Sequence, residues 1–252
     1  EAWTDRERYF LEPFVSNLDG RVHVLRGLPP EVVGAICSRA SRASGSLVRV
    51  LWREYLEPIL IGSDRELAEE LERTVGFLHA HGFRSIVNNG RAQDFFKKCL
   101  AQYGDDSIAQ MTGVHVVFDG ISQVAMKYIE RQRIGLEPIE QSTRFVDFSS
   151  RYAGRYLYYV PEADLEMASS GERYREVLDS LFIDYAYLRD ALVAYFIAQY
   201  PDEKRLPLEK KALDTVRGLL PMATLGQVAF RGNAQAWEYL LNRLAAHLLF
   251  EL

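Results

Sequence analysis

Apolar residues recur at helical spacing along most of this chain, and the interruptions in that rhythm mark its elements. Leu28, Pro29, Pro30 and Glu31 open a helix, since proline is tolerated in a first turn, and Val32, Val33, Ile36, Ala40 and Ala43 carry it on. The pattern predicts one long helix over residues 28–55. Ser63 with Glu66 three residues later reads as a capping box, and Leu67, Leu71, Val75 and Leu78 line a second helix that stops at Gly82. Residues 94–103 form a third, through Phe95, Phe96, Cys99 and Leu100, and after Gly104 the run Asp105, Asp106, Ser107 suits the cap of the next element. Residues 114–118 are β-branched and predict a strand, and residues 121–133 return to helical spacing through Val124, Ala125, Tyr128 and Ile129.

The second half is read the same way. Residues 155–160 are aromatic and predict a strand ending at Pro161. Residues 172–199 carry Tyr174, Val177, Leu178, Leu181, Tyr185, Leu188, Leu192 and Phe196, the spacing of a long amphipathic helix that serves as a spine. Pro207 opens another helix towards Pro221, residues 222–230 read as extended, and Asn233 or Ala234 starts a final helix. Residues 1–100 are therefore mainly helical. The pattern is still helical and uncapped at Phe250, Glu251 and Leu252, which leads us to expect a longer native protein, of which this is one half, or a trimmed one.

Composition narrows the function classes. With 252 residues and 48% hydrophobic content the chain can bury a sizeable core, and we read it as one domain. A net charge of −5 provides no overall basic field for a nucleic acid polymer or an anionic membrane, so any anion must be held by a local arginine cluster. Cys37 and Cys99 lie far apart in a chain without a signal-like start, which argues against a disulfide framework or a cysteine metal site and for a reducing cytoplasm. No stretch approaches the roughly 20 uninterrupted apolar residues that a bilayer span needs, so we expect no membrane association. His115, His79 and His81 lack acidic or histidine partners at ligand spacing, so no metal site is expected.

Chemistry concentrates between Arg131 and Arg144. Arg131, Arg133 and Arg144, two hydroxyls and Glu140 gather around a loop bearing Gly135 and Pro138, a composition suited to phosphate, which guanidinium groups bind through planar, charge-assisted hydrogen bonds. On a continuous helix, two positions of separation turn Arg131 and Arg133 roughly 200° apart, so they serve different ligands or merely complement the helix macrodipole. If Ser142, Thr143, Arg144 and Phe145 are extended, Ser142 and Arg144 share one face. Glu140 is then either a salt-bridge partner or the acceptor for a ligand's hydroxyl or ring N–H. Arg217 sits in an apolar stretch, and Arg243 and His247 stand at i, i+4 across Ala245 and Ala246, a pair that ordinary packing would also produce.

Taken in order, these residues resemble the flavin-dependent thymidylate synthases, whose signature is Arg-His-Arg, seven residues, Ser, then x-Arg-aromatic. Here it reads Arg131, Gln132, Arg133, eight residues, then Ser142, Thr143, Arg144, Phe145. Upstream, Tyr103, Gly104, Asp105, Asp106 and Ser107 are similar to the segment before that signature. Downstream, Arg217 to Leu220 and Pro221 resemble an Arg-x-x-Leu-Pro element, and Asn233, Ala234, Arg243 and His247 resemble the final helix. The sequence departs from the pattern at Gln132, which cannot carry the histidine's positive charge, in the longer spacer, at Gln235 in place of an arginine, at Tyr128 in place of a glutamine, and at Gln110 and Met111 in place of a Glu-His pair.

The resemblance implies an α+β fold in which an antiparallel sheet packs with long helices, and a homotetramer with active sites between subunits. It implies that Arg131, Glu140, Gln141, Ser142, Thr143, Arg144, Arg217 and Arg243 surround dUMP, with Arg131, Ser142 and Arg144 closest to the chemistry. It implies that Arg131, Gln132, Arg133, Asn233 and His247 hold FAD. The expected reaction converts dUMP to dTMP, with carbon from methylenetetrahydrofolate and hydride from FAD reduced by NADPH, and needs no cysteine nucleophile. The alternative is a non-catalytic nucleotide-binding or assembly domain of the same fold.

Overall fold

The computed structural model describes residues 2–83, 90–102, 107–132, 134–167, 169–247 and 251. The chain opens with a short helix, α1 (Asp5–Leu11), that the hydrophobic pattern did not predict; Thr4 and Glu7 form a reciprocal capping box at its start. A first strand, β1 (Val22–Leu25), was likewise not predicted. Helix α2 (Pro30–Ala40) begins on proline as expected but stops fifteen residues short of Tyr55. Residues 41–46 leave the helical path, and Ser46 then accepts from the Arg49 N–H to start α3 (Leu47–Val50), which runs through wider π-type turns over Leu51–Leu56 into α4 (Glu57–Ile61). The predicted single helix is thus two, because a serine cap and contacts from the sheet outcompete continued helical periodicity.

Helix α5 (Arg65–His81) matches its prediction, except that Asp64 rather than Ser63 caps it, and Gly82 closes it at φ +68°. Helix α6 (Gly90–Gln102) follows; the expected stop at Gly104 and the cap residues Asp105 and Asp106 fall outside the described residues, and Ser107, the third cap residue expected, opens a 3₁₀ turn over Ser107–Met111. Strand β2 (Gly113–Ser122) is longer than predicted, so α7 (Gln123–Glu130) is shorter. Residues 136–140, expected as loop, form β3 (Leu136–Glu140). Its Pro138 is tolerated because β3 lies at a sheet edge. In place of a strand over 155–160 there is a small hairpin, β4 (Arg151–Tyr152) and β5 (Arg155–Tyr156). The remaining elements are α8 (Glu162–Met167), the 29-residue α9 (Gly171–Gln199), α10 (Arg205–Val216) with a 3₁₀ turn over Arg217–Leu219, β6 (Leu225–Asn233) and α11 (Ala234–Ala245).

The main sheet runs β1-β2-β6-β3, antiparallel throughout. Alternation along its central strands sends neighbours to opposite faces. Val117 and Ala229 join the core beneath α1 to α5, whereas Val116, Val228 and Phe230 join a second core with Met126, Ile129 and Leu240 of α7 and α11. A third core packs Phe182 and Tyr185 of α9 against Leu213 and Val216 of α10 and against Val146 and Phe148 from the segment after β3. An antiparallel sheet covered by helices is the α+β arrangement expected, and it holds the end of β3 between the N-terminal helical layer and the α9–α10 pair.

Candidate functional site

The chain leaves β3 through a hydrogen-bonded turn rather than an extended segment. The Gln141 N–H donates to the Gln227 carbonyl at 2.8 Å, and the Ser142 N–H donates to the Ser41 carbonyl at 2.8 Å. Phe145 and Val146 N–H groups then both return to the Ser142 carbonyl, at 3.1 and 3.0 Å. Ser142 and Arg144 therefore do not share the face of a strand, which corrects that expectation; Oγ of Ser142 instead accepts from the Arg144 N–H at 3.4 Å. Thr143 is half-buried within the same turn.

From this turn Arg144 reaches Asp214 on α10, and so does Arg217 just beyond that helix. Nε of Arg144 lies 2.9 Å and Nε of Arg217 3.2 Å from the same Oδ1. That oxygen is shielded from solvent yet receives no aligned hydrogen bond from either, while Oδ2 accepts from Nη2 of Arg144 at 3.3 Å. The contact is thus largely Coulombic and leaves donor directions of both guanidinium forks unused. Beside it, the Phe145 ring is flanked by Lys210 Nζ at 4.7 Å and by the Arg42 guanidinium at 5.6 Å from its centroid.

A second polar group lies along α7. The helix ends at Glu130, and Arg131 is its exposed C-cap residue, so a shared helical path does not carry the Arg131–Arg133 geometry expected from sequence. Arg133 itself lies outside the described residues. Arg243 donates to Oε1 of Gln132 at 2.9 Å and to the Tyr239 hydroxyl at 3.1 Å, and the Tyr239 contact raises its pKa. His247, two residues beyond the end of α11, packs on Tyr128 with ring centroids 4.2 Å apart. Asn233 caps α11 by accepting from the Ala236 N–H at 2.8 Å. The structure thus joins Arg243, expected at the nucleotide, to Gln132, expected at the flavin.

Between these groups, Lys127 Nζ holds two carboxylates, Glu130 at 2.8 Å and Glu140 at 2.5 Å. Glu130 is 8% exposed, and burial pushes its pKa up, opposed by the Lys127 hydrogen bond and reinforced by the Glu140 charge. Gln141 is buried, and its Nε2 donates to the Ala43 carbonyl at 2.7 Å. Its other amide atom, Oε1, flanks Gly226 together with Nε2 of Gln123. That Nε2 is a buried donor without a hydrogen-bond partner among the described residues. Gln123 opens α7, eight residues and so about 12 Å long, and Gln132 lies just past its other end.

One copy of the chain therefore brings Arg144 and Arg217 together, and Arg243 with Gln132 and Tyr239, as two groups. Asp214, Lys127 and Glu130 were missed from sequence, although Asp214–Arg217 and Lys127–Glu130 stand at i, i+3, a legible signal. Arg42 and Gln227 had no local signal. Cys37 is buried, which pushes its thiol up to about 11 and makes it a poor nucleophile. Among the described residues no cluster of three metal-ligating side chains occurs, and no helix is long and apolar enough to cross a membrane.

An antiparallel sheet under long helices, with an arginine-rich turn at its edge, defines a class that comparison with known proteins makes specific. The family described as thymidylate synthase complementing protein matches residues 59–247. The chain belongs to that family, the flavin-dependent thymidylate synthases that its signature resembles. UPF0159 proteins of Chlamydia pneumoniae and Chlamydia muridarum are each 34% identical to it, over 100% and 99% of this chain. The chain spans 46% of the length of each of these two relatives. A solved structure described as a UMP/dUMP methylase PolB from Streptomyces cacaoi bound with 5-Br UMP is similar at 14% identity and a TM-score of 0.37, covering 62% of this chain and 66% of that one.

Proposed function

We propose that this chain supplies the nucleotide site of a thymidylate synthase-like methyltransferase that acts on dUMP. The observation that carries the reading is the pair of arginines on Asp214: two guanidiniums from distant parts of the chain meet at one carboxylate oxygen without aligned hydrogen bonds. A phosphate monoester offers such forks the bidentate geometry that this single oxygen does not. Ser142 adds a hydroxyl in the adjoining turn, and in this reading Glu140, now paired with Lys127, and Gln141 would serve ribose and base. Family membership supports the same substrate class.

The second group fits a flavin nucleotide by its chemistry. Arg131 and Arg243 supply cations for a diphosphate, Gln132 an amide, and the Tyr128–His247 pair aromatic faces for a flat ring. Bound there, FAD would supply hydride to the transferred carbon, with methylenetetrahydrofolate as carbon source and NADPH as reductant. In this reading Arg131 and Arg243 bind the cofactor's anionic end, Gln132 orients Arg243, and Asn233 fixes the start of α11. Completion of the site between copies in a homotetramer, in the cytoplasm, belongs to the same proposal.

Thermal melting with dUMP tests it. At a hundredfold excess over Kd, ligand linkage of about 2.7 kcal/mol would raise Tm by roughly 5 to 10 °C for a chain of this size. Deoxyuridine, without the phosphate, would leave Tm nearly unchanged. No shift with millimolar dUMP sinks the reading. A shift with dUMP, together with failure to take up added FAD as judged by flavin absorbance, selects the non-catalytic nucleotide-binding alternative.

A further inference from the structure

The break at residues 41–46 is fastened to the sheet more firmly than a surface connection requires. Gln141 donates to the Ala43 carbonyl, Gln227 donates to the Gly45 carbonyl and accepts from the Leu47 N–H, and Ser142 donates to the Ser41 carbonyl, at 2.7 to 2.8 Å each. Gln141 and Gln227 are both buried, at 8% and 5% exposure, so the amides that hold the loop are themselves held. A loop pinned at successive carbonyls presents its intervening side chains in fixed positions. Arg42 is one of these, exposed, with its guanidinium over the Phe145 ring.

Phe145 immediately follows Arg144, and Lys210 lies over the same ring. Four cations, Arg42, Arg144, Lys210 and Arg217, thus come from the N-terminal loop, the turn after β3, α10 and the turn beyond it. The acid set among them is Asp214, whose ion pairs among the described residues are with Arg144 and Arg217. Neither Arg42 nor Lys210 makes an ion pair with a carboxylate among the described residues. A cluster with a surplus of positive charge on half-exposed side chains attracts an anion of more than one charge, and a phosphate monoester carries close to two.

We propose that Arg42 is a phosphate-binding residue of the nucleotide site, contributed by the N-terminal helical layer outside the stretch that the family match covers. The inference rests on the proposed nucleotide site and extends it across the sheet. The carbonyls fastened on either side of Arg42, those of Ser41 and Ala43, fix the backbone from which its guanidinium reaches Phe145.

Isothermal titration of the full chain with dUMP and with deoxyuridine, for wild type, Arg42→Ala and Arg42→Lys, tests this. The expected result is dUMP affinity reduced about tenfold or more in Arg42→Ala, with Arg42→Lys in between, as for removal of one charge-assisted contact. Deoxyuridine affinity and the melting temperature without ligand should not change, because Arg42 is exposed. Unchanged dUMP affinity in Arg42→Ala overturns the inference and leaves the nucleotide site standing. Equal losses for dUMP and deoxyuridine also overturn it, since they assign Arg42 to loop structure. Absence of dUMP binding in the wild type removes the nucleotide site itself.

Discussion

The side-chain amide of Gln227 accepts a hydrogen bond of 2.8 Å from the backbone N–H of Leu47, 180 residues away in sequence. The same amide donates to the Gly45 carbonyl, also at 2.8 Å. One side chain in the middle of β6 therefore satisfies both a carbonyl of the loop over 41–46 and the first N–H of α3. Replacing Gln227 with Leu would leave the buried Leu47 N–H without its partner while the exposed Gly45 could turn its carbonyl to water, and we expect a loss of about 1 to 3 kcal/mol in urea denaturation. A loss within measurement error would show that the loop satisfies itself in solution.

Gly135 turns the chain into β3 at φ +79°, with an added Cβ lying 2.8 Å from Ala236 and 2.9 Å from Nδ2 of Asn233. Backbone strain in the left-handed region and the clash with the start of α11 act together. Gly135→Ala should lower stability by about 2 to 4 kcal/mol. The urea midpoint should fall while the slope stays constant, and an unchanged midpoint would mean that the turn relaxes at little cost.

Glu130 provides a pH signature. Burial raises its folded-state pKa above the ordinary value of 4.5, so between 4.5 and the raised value the folded state binds the extra proton and stability falls as pH rises. Gln at this position does not titrate. The stability of Glu130→Gln relative to wild type should therefore increase with pH across that window, as measured by denaturation at several pH values. A difference that stays flat with pH would place the carboxyl in an environment without net burial.

Arg144 separates binding from folding. Its side chain is 56% exposed and its contact with Asp214 38% exposed on the acid side, so Arg144→Ala should change stability by under about 1 kcal/mol. Affinity for dUMP should fall by about 2 to 4 kcal/mol, because the ligand's phosphate would lose a charged partner on binding. Unchanged nucleotide affinity would remove Arg144 from the site.

The sequence by itself determined the elements whose signals lie within a few residues of one another. The 29-residue α9, the proline start of α2, the glycine stop of α5 and the asparagine start of α11 follow from periodicity and caps, which act over single helical turns. It also showed the arginine-bearing turn and the family resemblance, because those residues are contiguous or ordered along the chain. Only the tertiary structure decided that residues 136–140 pair as an edge strand, that the helix over 28–55 is broken at 41–46, and that Arg144 and Arg217 meet on Asp214. Each of those outcomes depends on partners supplied by sheet pairing or by packing across layers, and such contacts carry no period in the local sequence from which they could be read.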